Sequence, residues 1–332
     1  MVCASVPRAT AAGVEMLSRG GNAVDAALAT AATLCVVEPM STGIGGDAFA
    51  LVWSAREGRL YGLNGSGRAP AAARIDAYRE RGHDRVPGRG ILSATVPGAV
   101  HAWETLSREL GRLPLADVLE PAIRAAEEGF PVTELVAHYW FWLHRAGVLD
   151  EAAREVWAPS GRAPRAGEWF RVPALARSLR TVAEGGAPAF YTGAIADAIV
   201  ETSRRAGGFF AAEDLASHSS SWVEPISTDY RGTTVAELPP NGQGLAALIA
   251  LNILEQFEPG PAPPSSALDW HRRIEAIKLA FADRNAYIAD PDHSEVPVAP
   301  LLDKTYAKER AALIGARALP GASPGLPTGD TV

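Results

Sequence analysis

A threonine near the C-terminus could act as a nucleophile. It lies in Gly329-Asp330-Thr331-Val332, and a threonine hydroxyl attacks poorly by itself because its proton must leave as the new bond forms. Cleavage of the peptide bond before Thr331 would place a free α-amine beside that hydroxyl, and an amine with a pKa of about 8 is a suitable base near neutral pH. From composition alone, a frayed terminus explains this segment better, so support must come from the rest of the chain.

Ser66 is another hydroxyl with glycine on both sides. Its surroundings, residues 64–68, read N-G-S-G-R. A serine hydrolase of the nucleophile-elbow type has G-x-S-x-G, and this segment does not match it in register. No histidine and aspartate partners can be assigned from the sequence either. Ser66 is therefore a weak candidate for a serine nucleophile.

Metal and nucleotide chemistry have little support. The histidines show no H-x-x-x-H pair and no nearby cysteine pair, so we do not expect a zinc site. They are His83, His101, His138, His144, His218, His271 and His293. The acidic segments Asp283-Arg284 and Asp290-Pro291-Asp292-His293 could hold a cation, but helix capping or ion pairing is the favoured interpretation.

The glycine cluster at residues 43–48, G-I-G-G-D-A, fits the G-x-G-x-x-A form of a dinucleotide-binding fingerprint. That fingerprint requires a strand before it and a helix after it, because the helix N-terminus holds the pyrophosphate. Here the predicted order is helix, glycines, strand. The cluster therefore favours a tight turn at which backbones approach closely.

The first third of the chain predicts helices followed by a hairpin. Small and apolar residues at helical spacing predict helices over Pro7 to Arg19 and Asn22 to Val37. A β-type run follows from Ala48 to Trp53, and Glu57-Gly58 predicts a turn that returns through Leu60 to Leu63.

Helical patterns return between Pro97 and about Gly207, and a second hairpin is predicted from Trp222 to Leu238 around Tyr230-Arg231-Gly232. Further helices are predicted at residues 245–257 and about 266–289. The fold class is α/β in the broad sense, with antiparallel sheets flanked by helices. Strands are few for so many helices, so we expect further strands from elsewhere. The Gly/Pro-rich tail from residue 315 predicts an exposed, mobile segment.

Composition limits the partners and the compartment. With 332 residues, 47% of them hydrophobic, and a net charge of −7, the chain can bury a core and offers no basic field for nucleic acid. The apolar stretch from Ala26 to Val37 is shorter than the roughly 20 residues of a membrane span. Cys3 and Cys35 suit a reducing compartment. We expect a cytoplasmic location, with a periplasmic or secreted one open if a signal was trimmed ahead of Met1.

Four segments, taken together, resemble the gamma-glutamyltranspeptidase family. Residues 7–49 contain the A-x-x-G-G-N-A-V-D-A-A stretch, V-x-E-P and the glycine cluster, and residues 94–104, 229–244 and 275–293 resemble later blocks in the same order. The resemblance covers nearly the whole chain. It implies an N-terminal nucleophile hydrolase with an αββα four-layer sandwich, made as a precursor that cuts itself into a large and a small subunit.

The resemblance also assigns the reaction. Asp330-Thr331 maps onto the scissile bond and Thr331 onto the nucleophile, which would form an acyl-enzyme with γ-glutamyl compounds such as glutathione or with another small amide, and release the acyl group to water or an amine. No cofactor or metal is implied. The expected organisation is a large-subunit domain at 1–314, the tail before the cleavage site at 315–330, and the start of the small subunit at 331–332.

Two departures from the family pattern matter. An arginine that binds the substrate α-carboxylate precedes the proline of the family motif by four residues, and here Ser66 stands at that position with Arg68 two residues later. Either Arg68 replaces it or the substrate is not a γ-glutamyl amide, and we favour the latter. The oxyanion-hole glycines and most substrate-binding residues of the family belong to the small subunit, so this chain alone should be inactive.

Rival interpretations remain. A non-catalytic relative could keep the fold as a binding or assembly module, since the carboxylate-binding arginine is lost. A nucleotide-dependent enzyme would use the Gly43 cluster. The expected partners are the small subunit from the same precursor and a small-molecule amide, with further oligomerisation open and with neither nucleic acid nor a membrane span.

Overall fold

The computed structural model describes residues 1–258 and 266–326. Within this part the chain forms two compact units, one of residues 1–49 and 65–221 and the other of residues 50–64 and the chain from 222 onward. Asp330 and Thr331 lie outside the described residues. The processing boundaries at 314 and 330 therefore stay a prediction.

Helices and short strands make up both units. The helices are α1 (Pro7–Ser18), α2 (Ala23–Val37), α3 (Ile75–Glu80), α4 (Ala99–Leu110), α5 (Leu115–Glu128), α6 (Glu134–Arg145), α7 (Glu151–Trp157), α8 (Pro173–Tyr191), α9 (Ala194–Arg205), α10 (Ala212–Ala216), α11 (Gly244–Glu255), α12 (Ala267–Tyr287), α13 (Val298–Leu302) and α14 (Lys304–Ala311). The strands are β1 (Ala48–Ser54), β2 (Arg59–Gly65), β3 (Phe130–Pro131), β4 (Trp169–Phe170), β5 (Ser221–Val223), β6 (Ile226–Tyr230) and β7 (Thr233–Glu237). This mixed architecture, with small antiparallel pairs among many helices, confirms the predicted fold class.

The start of α2 shows why the G-G-N-A-V-D stretch folds as it does. Asn22 accepts hydrogen bonds from the amides of Val24 and Asp25, and Asp25 accepts one from the Asn22 amide at 2.7 Å. This reciprocal capping box satisfies amides that a helix start leaves unpaired. The buried Asp25 carboxylate also accepts from the amide of Arg112, which fixes α2 against the chain after α4.

The predicted strand between Trp222 and Tyr230 is instead two strands. β5 joins the sheet ordered β1-β2-β5, whereas β6 pairs antiparallel with β7. Pro225 separates them, because proline has no N–H to donate to a continuing ladder. The predicted second hairpin is confirmed, and its turn places Arg231 and Gly232 in the left-handed region at φ 54° and 79°, as a two-residue hairpin loop requires.

The sequence pattern predicts helices from Pro97 to about Gly207, but this region is not helical throughout. The bridge between β3 and β4 interrupts it, with Phe130 opposite Phe170. The two rings pack edge to face with centroids 6.2 Å apart. Such a pair joins segments forty residues apart, so the local pattern gave no signal for it.

The core of the second unit lies between α11, α12 and the short helices α13 and α14. Leu245, Ile249, Ile253 and Leu279 are fully buried there. One stripe of α12 faces outward, and its apolar side chains are exposed: Trp270, Ile274, Ile277 and Phe281. In the described part of the chain, no helix combines the length and the apolar character needed to cross a bilayer.

Candidate functional site

Ser66 and Arg68 lie directly after β2, where three stretches of backbone meet in the first unit. The Gly67 amide donates to Asp47 Oδ1 at 2.8 Å, and the Val96 amide donates to the Arg68 carbonyl at 3.0 Å. The amides of Gly98 and Ala99, at the start of α4, both donate to the Gly46 carbonyl at 2.9 Å. The first two bonds fix the backbone directly after Ser66, and the other two hold the start of α4 against the glycine cluster.

Glycine is required where these stretches cross. A Cβ on Gly67 would lie 1.5 Å from the Val96 carbonyl oxygen, and one on Gly98 would lie 1.9 Å from the Gly65 carbonyl oxygen. No side chain can be accommodated at such distances. The glycines of the 64–68 and 94–104 segments therefore allow the close approach that places Ser66 and Arg68.

Tyr191, His101 and His218 form an aromatic cluster beside this crossing. Tyr191 Oη donates to the Pro97 carbonyl at 2.7 Å and accepts from the His101 amide at 3.2 Å. The His218 ring stacks on Tyr191 with centroids 5.2 Å apart and meets the His101 ring edge to face at 5.7 Å. The buried Tyr191 hydroxyl thus connects the start of α4 to the end of α8.

Hydrogen bonds define the tautomer of His101. The Ser220 amide donates to His101 Nδ1 at 3.1 Å, and the hydroxyls of Ser220 and Thr105 lie 3.1 and 3.3 Å from the same atom. A nitrogen that accepts from a backbone N–H carries no proton, so the neutral ring holds its proton on Nε2.

Burial keeps the cluster uncharged. It lowers the pKa of His218 to about 4, and the positive charges of His101 and Arg68 act in the same direction, against a backbone hydrogen bond at Gly98. Burial also lowers the pKa of His101. The pKa of Tyr191 is raised, again chiefly by burial. His101, His218 and Tyr191 are therefore uncharged at neutral pH.

Partial desolvation raises the pKa of the Asp47 carboxyl, and the hydrogen bond from the Gly67 amide opposes that rise. The sequence interpretation did not include Asp47, His101, His218 or Tyr191 in the site. Sequence spacing relates histidines only within one helix, whereas His101 lies on α4 and His218 follows α10. Their proximity depends on tertiary packing, for which the sequence held no local signal.

The acidic segments form ion pairs and turns. Asp283 pairs with Arg310 at 3.0 Å, and Asp290 Oδ1 accepts from the Asp292 amide at 3.0 Å. Within residues 1–258 and 266–326, no three histidine, cysteine, aspartate or glutamate side chains are grouped as metal ligands. The Gly43 cluster lies between α2 and β1, so the order helix, glycines, strand is confirmed and does not match a dinucleotide fold.

Comparison with known proteins identifies the family. The sequence profile described as Gamma-glutamyltranspeptidase matches residues 9–329. The chain belongs to the gamma-glutamyltranspeptidase family. The family resemblance seen in the separate sequence segments is thereby confirmed.

Relatives within the gamma-glutamyltranspeptidase family include hydrolases, acylases and transpeptidases. The "Glutathione hydrolase-like YwrD proenzyme" of Bacillus subtilis is 40% identical over 316 residues, which cover 95% of this chain and 60% of the relative. The crystal structure of cephalosporin acylase from Bacillus halodurans superposes with a TM-score of 0.90 at 47% identity, covering 97% of this chain and 60% of that one. The Helicobacter pylori gamma-glutamyltranspeptidase structure gives the same TM-score at 29% identity, covering 98% and 95%.

The chain spans about three fifths of the length of the curated relatives it matches. Those relatives are named glutathione hydrolases or acylases, and several are named proenzymes. Their names agree with the amide-hydrolase chemistry that the sequence predicts.

Proposed function

We propose that this chain is the large-subunit part of a self-processing amide hydrolase or acyltransferase whose nucleophile is Thr331. The observation that carries the proposal is the match to the gamma-glutamyltranspeptidase family through residue 329, next to Asp330-Thr331. The proenzyme names of the relatives support a precursor that is cleaved. The chain covers 95% of the solved Helicobacter pylori chain but only about 60% of the relatives named proenzymes. This difference supports its assignment to the large-subunit part.

Self-cleavage begins at the Thr331 hydroxyl. Its oxygen attacks the Asp330 carbonyl carbon, the peptide C–N bond breaks, and the departing nitrogen takes the proton to become an α-amine. The resulting ester links Asp330 to the Thr331 oxygen, and water hydrolyses it to an Asp330 carboxylate and a free hydroxyl. Attacking oxygen and proton acceptor then belong to one residue.

Turnover repeats this chemistry on a substrate amide. The Thr331 oxygen attacks the amide carbonyl while the α-amine accepts its proton and passes it to the leaving amine. The acyl group stays on Thr331 as an ester until water or an acceptor amine removes it. Among the described residues, the groups around Ser66 and Arg68 take part in this mechanism, at the proposed substrate site.

The proposed partner is a small subunit from the same precursor. Exposed apolar side chains of the second unit support it, because Trp270, Ile274, Ile277 and Phe281 recur at helical spacing along α12 and are 42–53% exposed. On β1, Leu51 and Trp53 are also exposed. Contiguous apolar surface of this kind marks a protein interface. Association of large-small pairs into a larger oligomer stays a prediction.

The substrate is proposed to be a small amide other than a γ-glutamyl compound. Ser66 offers no positive charge for a substrate α-carboxylate, and hydrogen bonds of the Gly67 amide and the Arg68 carbonyl hold the backbone directly after it. Support also comes from the higher identity to the cephalosporin acylase structure than to the Helicobacter pylori transpeptidase.

A γ-glutamyl substrate is the second candidate, since Arg68, two residues after Ser66, carries a guanidinium that would pair with an α-carboxylate. A panel of γ-glutamyl and other acyl amides, offered to the mature protein and to its Thr331→Ala variant, separates these readings. We expect hydrolysis of a non-γ-glutamyl amide by the native protein and none by the variant. Turnover of glutathione at an ordinary rate would contradict the substrate proposal, and absence of turnover of every amide would favour the non-catalytic alternative.

A further inference from the structure

The segment after α14, residues 315–326, has no regular secondary structure but is hydrogen-bonded along its length to side chains of the second unit. Six contacts hold its backbone. They are His271 Nε2 to the Gly315 carbonyl at 2.8 Å, Lys278 Nζ to the Leu319 carbonyl at 2.5 Å, the Leu319 amide to Glu275 Oε2 at 3.0 Å, Arg310 Nη2 to the Ser323 carbonyl at 2.8 Å, the Gly325 amide to Asp283 Oδ1 at 2.9 Å, and Tyr287 Oη to the Gly325 carbonyl. The groups that hold it come from α12 and α14.

A buried ion pair lies at the centre of this arrangement. The side chains of Asp283 and Arg310 are 0% and 5% exposed, and Asp283 Oδ1 lies 3.0 Å from Arg310 Nη2. A buried pair is stable only when its remaining oxygens and protons are hydrogen-bonded. Two of those bonds come from the segment itself, through Gly325 and Ser323. Among the described residues, Asp283 Oδ2 and Arg310 Nε have no hydrogen-bond partner. The pair therefore depends on the bonds that Asp283 Oδ1 and Arg310 Nη2 make, which come from the segment and, for Nη2, also from the Leu279 carbonyl at 3.2 Å.

Gly325 fits this place because it has no side chain. A Cβ there would lie 2.3 Å from Tyr306 Oη and 2.8 and 2.9 Å from two carbons of its ring. Tyr306 is itself buried and cannot move aside freely. Gly321, four residues earlier, would have nothing within 4 Å of an added Cβ. The close approach is therefore specific to Gly325.

We propose that Asp283, Arg310 and Tyr287 are positioning residues for self-cleavage, acting by anchoring the chain at Gly325. This inference rests on the proposed cleavage between Asp330 and Thr331. Asp330 is the fifth residue after Gly325, so an anchored Gly325 keeps the scissile bond within about 17 Å of itself at full extension. If the Gly325 contacts were lost, the Ser323 carbonyl, which Arg310 holds, would be the last anchor, and the reach to Asp330, seven residues later, would be about 24 Å.

The expected effect follows from the larger reach. The volume in which the scissile bond can lie grows as about the cube of the reach, so an increase from about 17 to about 24 Å lowers its effective concentration at the cleavage site about threefold. Self-cleavage should slow by at least that factor when the Gly325 anchor is lost. Mature enzyme should be unaffected, because after cleavage the segment no longer delivers Thr331.

The test uses the complete precursor with Gly325→Ala and, as a matched control, Gly321→Ala. Intact-mass spectrometry measures the rate at which the two fragments appear. We expect slower cleavage in G325A by about threefold or more, a native rate in G321A, and equal kcat/KM on the preferred amide once each protein has been fully cleaved. Equal cleavage rates in the two variants would overturn the anchoring proposal while leaving the proposed function intact.

A second variant covers the case in which G325A disturbs folding. Unfolding midpoints are measured with each glycine variant in the uncleavable Thr331→Ala background. If G325A lowers the midpoint, Tyr287→Phe decides, since it removes one hydrogen bond to Gly325 and adds no atom. Slowed cleavage in Y287F supports the anchor, and a native rate overturns it. A native precursor that never cleaves overturns the proposed function and this inference together.

Discussion

The carboxylate of Asp47 accepts a hydrogen bond from the Gly67 amide, 2.8 Å away and twenty residues on in the sequence. It thereby ties the residue before β1 to the segment that carries Ser66 and Arg68. Because the carboxylate is partly exposed, the bond should contribute modestly to stability and more to the placement of Ser66.

Removing this acceptor should lower the free energy of unfolding slightly. We expect Asp47→Ala to cost about 1 kcal/mol, the net value of an ordinary hydrogen bond. Asp47→Asn keeps an oxygen that can accept and should cost less. Urea unfolding followed by tryptophan fluorescence measures both, and a D47A protein as stable as the native one would show that the bond contributes nothing.

The glycine at position 67 should tolerate no side chain. A Cβ would lie 1.5 Å from the Val96 carbonyl oxygen, so Gly67→Ala must displace backbone and should cost about 3 kcal/mol or more. Gly45→Ala is the matched control, since an added Cβ at that position would have nothing within 4 Å. Thermal unfolding of the two variants should differ by several degrees, and similar midpoints would contradict the described crossing.

Stability of the first unit should depend on pH through His218. Its pKa is about 4 in the fold against 6.5 for the free side chain, so the unfolded chain binds a proton between these values and the fold does not. The stability that neutral His218 contributes is fully present above pH 6.5. It decreases as the pH falls from 6.5 toward 4, and it changes no further below pH 4. After allowance for solvent screening we expect about 1–2 kcal/mol over this range.

His218→Phe keeps the stacking on Tyr191 and removes the titration, so its unfolding free energy should vary less between pH 4 and 6.5. His101 contributes in the same direction and should leave a residual slope. His138→Gln, at an exposed position of α6, serves as the control. An unchanged slope in H218F would show that His218 is not held neutral by the fold.

The sequence predicted much of the local structure because local chemistry determines it. The capping box at Asn22 and Asp25 and the turn at Arg231-Gly232 are each set by residues adjacent in the chain. Pro225 is also a local signal, because a proline within a strand pattern indicates a break, here between β5 and β6. In each case a side-chain type dictates a backbone conformation within a few residues.

The candidate site was less predictable. Ser66 and Arg68 were singled out through the family resemblance. The aromatic cluster instead brings His101 together with Tyr191 and His218, which lie about 90 and 117 residues later in the sequence. No periodicity links such positions. The Gly/Pro composition of the segment from residue 315 predicted an exposed, mobile chain. Composition alone does not indicate that the distant Asp283 and Arg310 side chains hold this segment.

Breaking the buried pair of Asp283 and Arg310 should be severe. Asp283→Ala leaves an unpaired buried guanidinium and should cost about 3–5 kcal/mol, whereas the double variant Asp283→Ala with Arg310→Met removes both charges and should recover much of that loss. Urea unfolding in the uncleavable Thr331→Ala background gives both values. A loss below about 1 kcal/mol in D283A would contradict the described pairing.

Substrate selection should respond to charge at position 66. If the missing arginine excludes γ-glutamyl compounds, Ser66→Arg should raise kcat/KM for a γ-glutamyl amide about 10- to 100-fold, the value of a charge-assisted hydrogen bond to a carboxylate. Ser66→Gln supplies a long side chain without charge and should give no such gain. An equal effect of the two variants would locate carboxylate recognition elsewhere.

The proposed mechanism requires the Thr331 hydroxyl to cut its own chain. Intact-mass spectrometry of the complete precursor, native and Thr331→Ala, measures this. We expect two fragments from the native protein, divided between Asp330 and Thr331, and one uncut chain from T331A. A native protein that hydrolyses amides while remaining a single chain, or a T331A protein cleaved at the same bond, would contradict it.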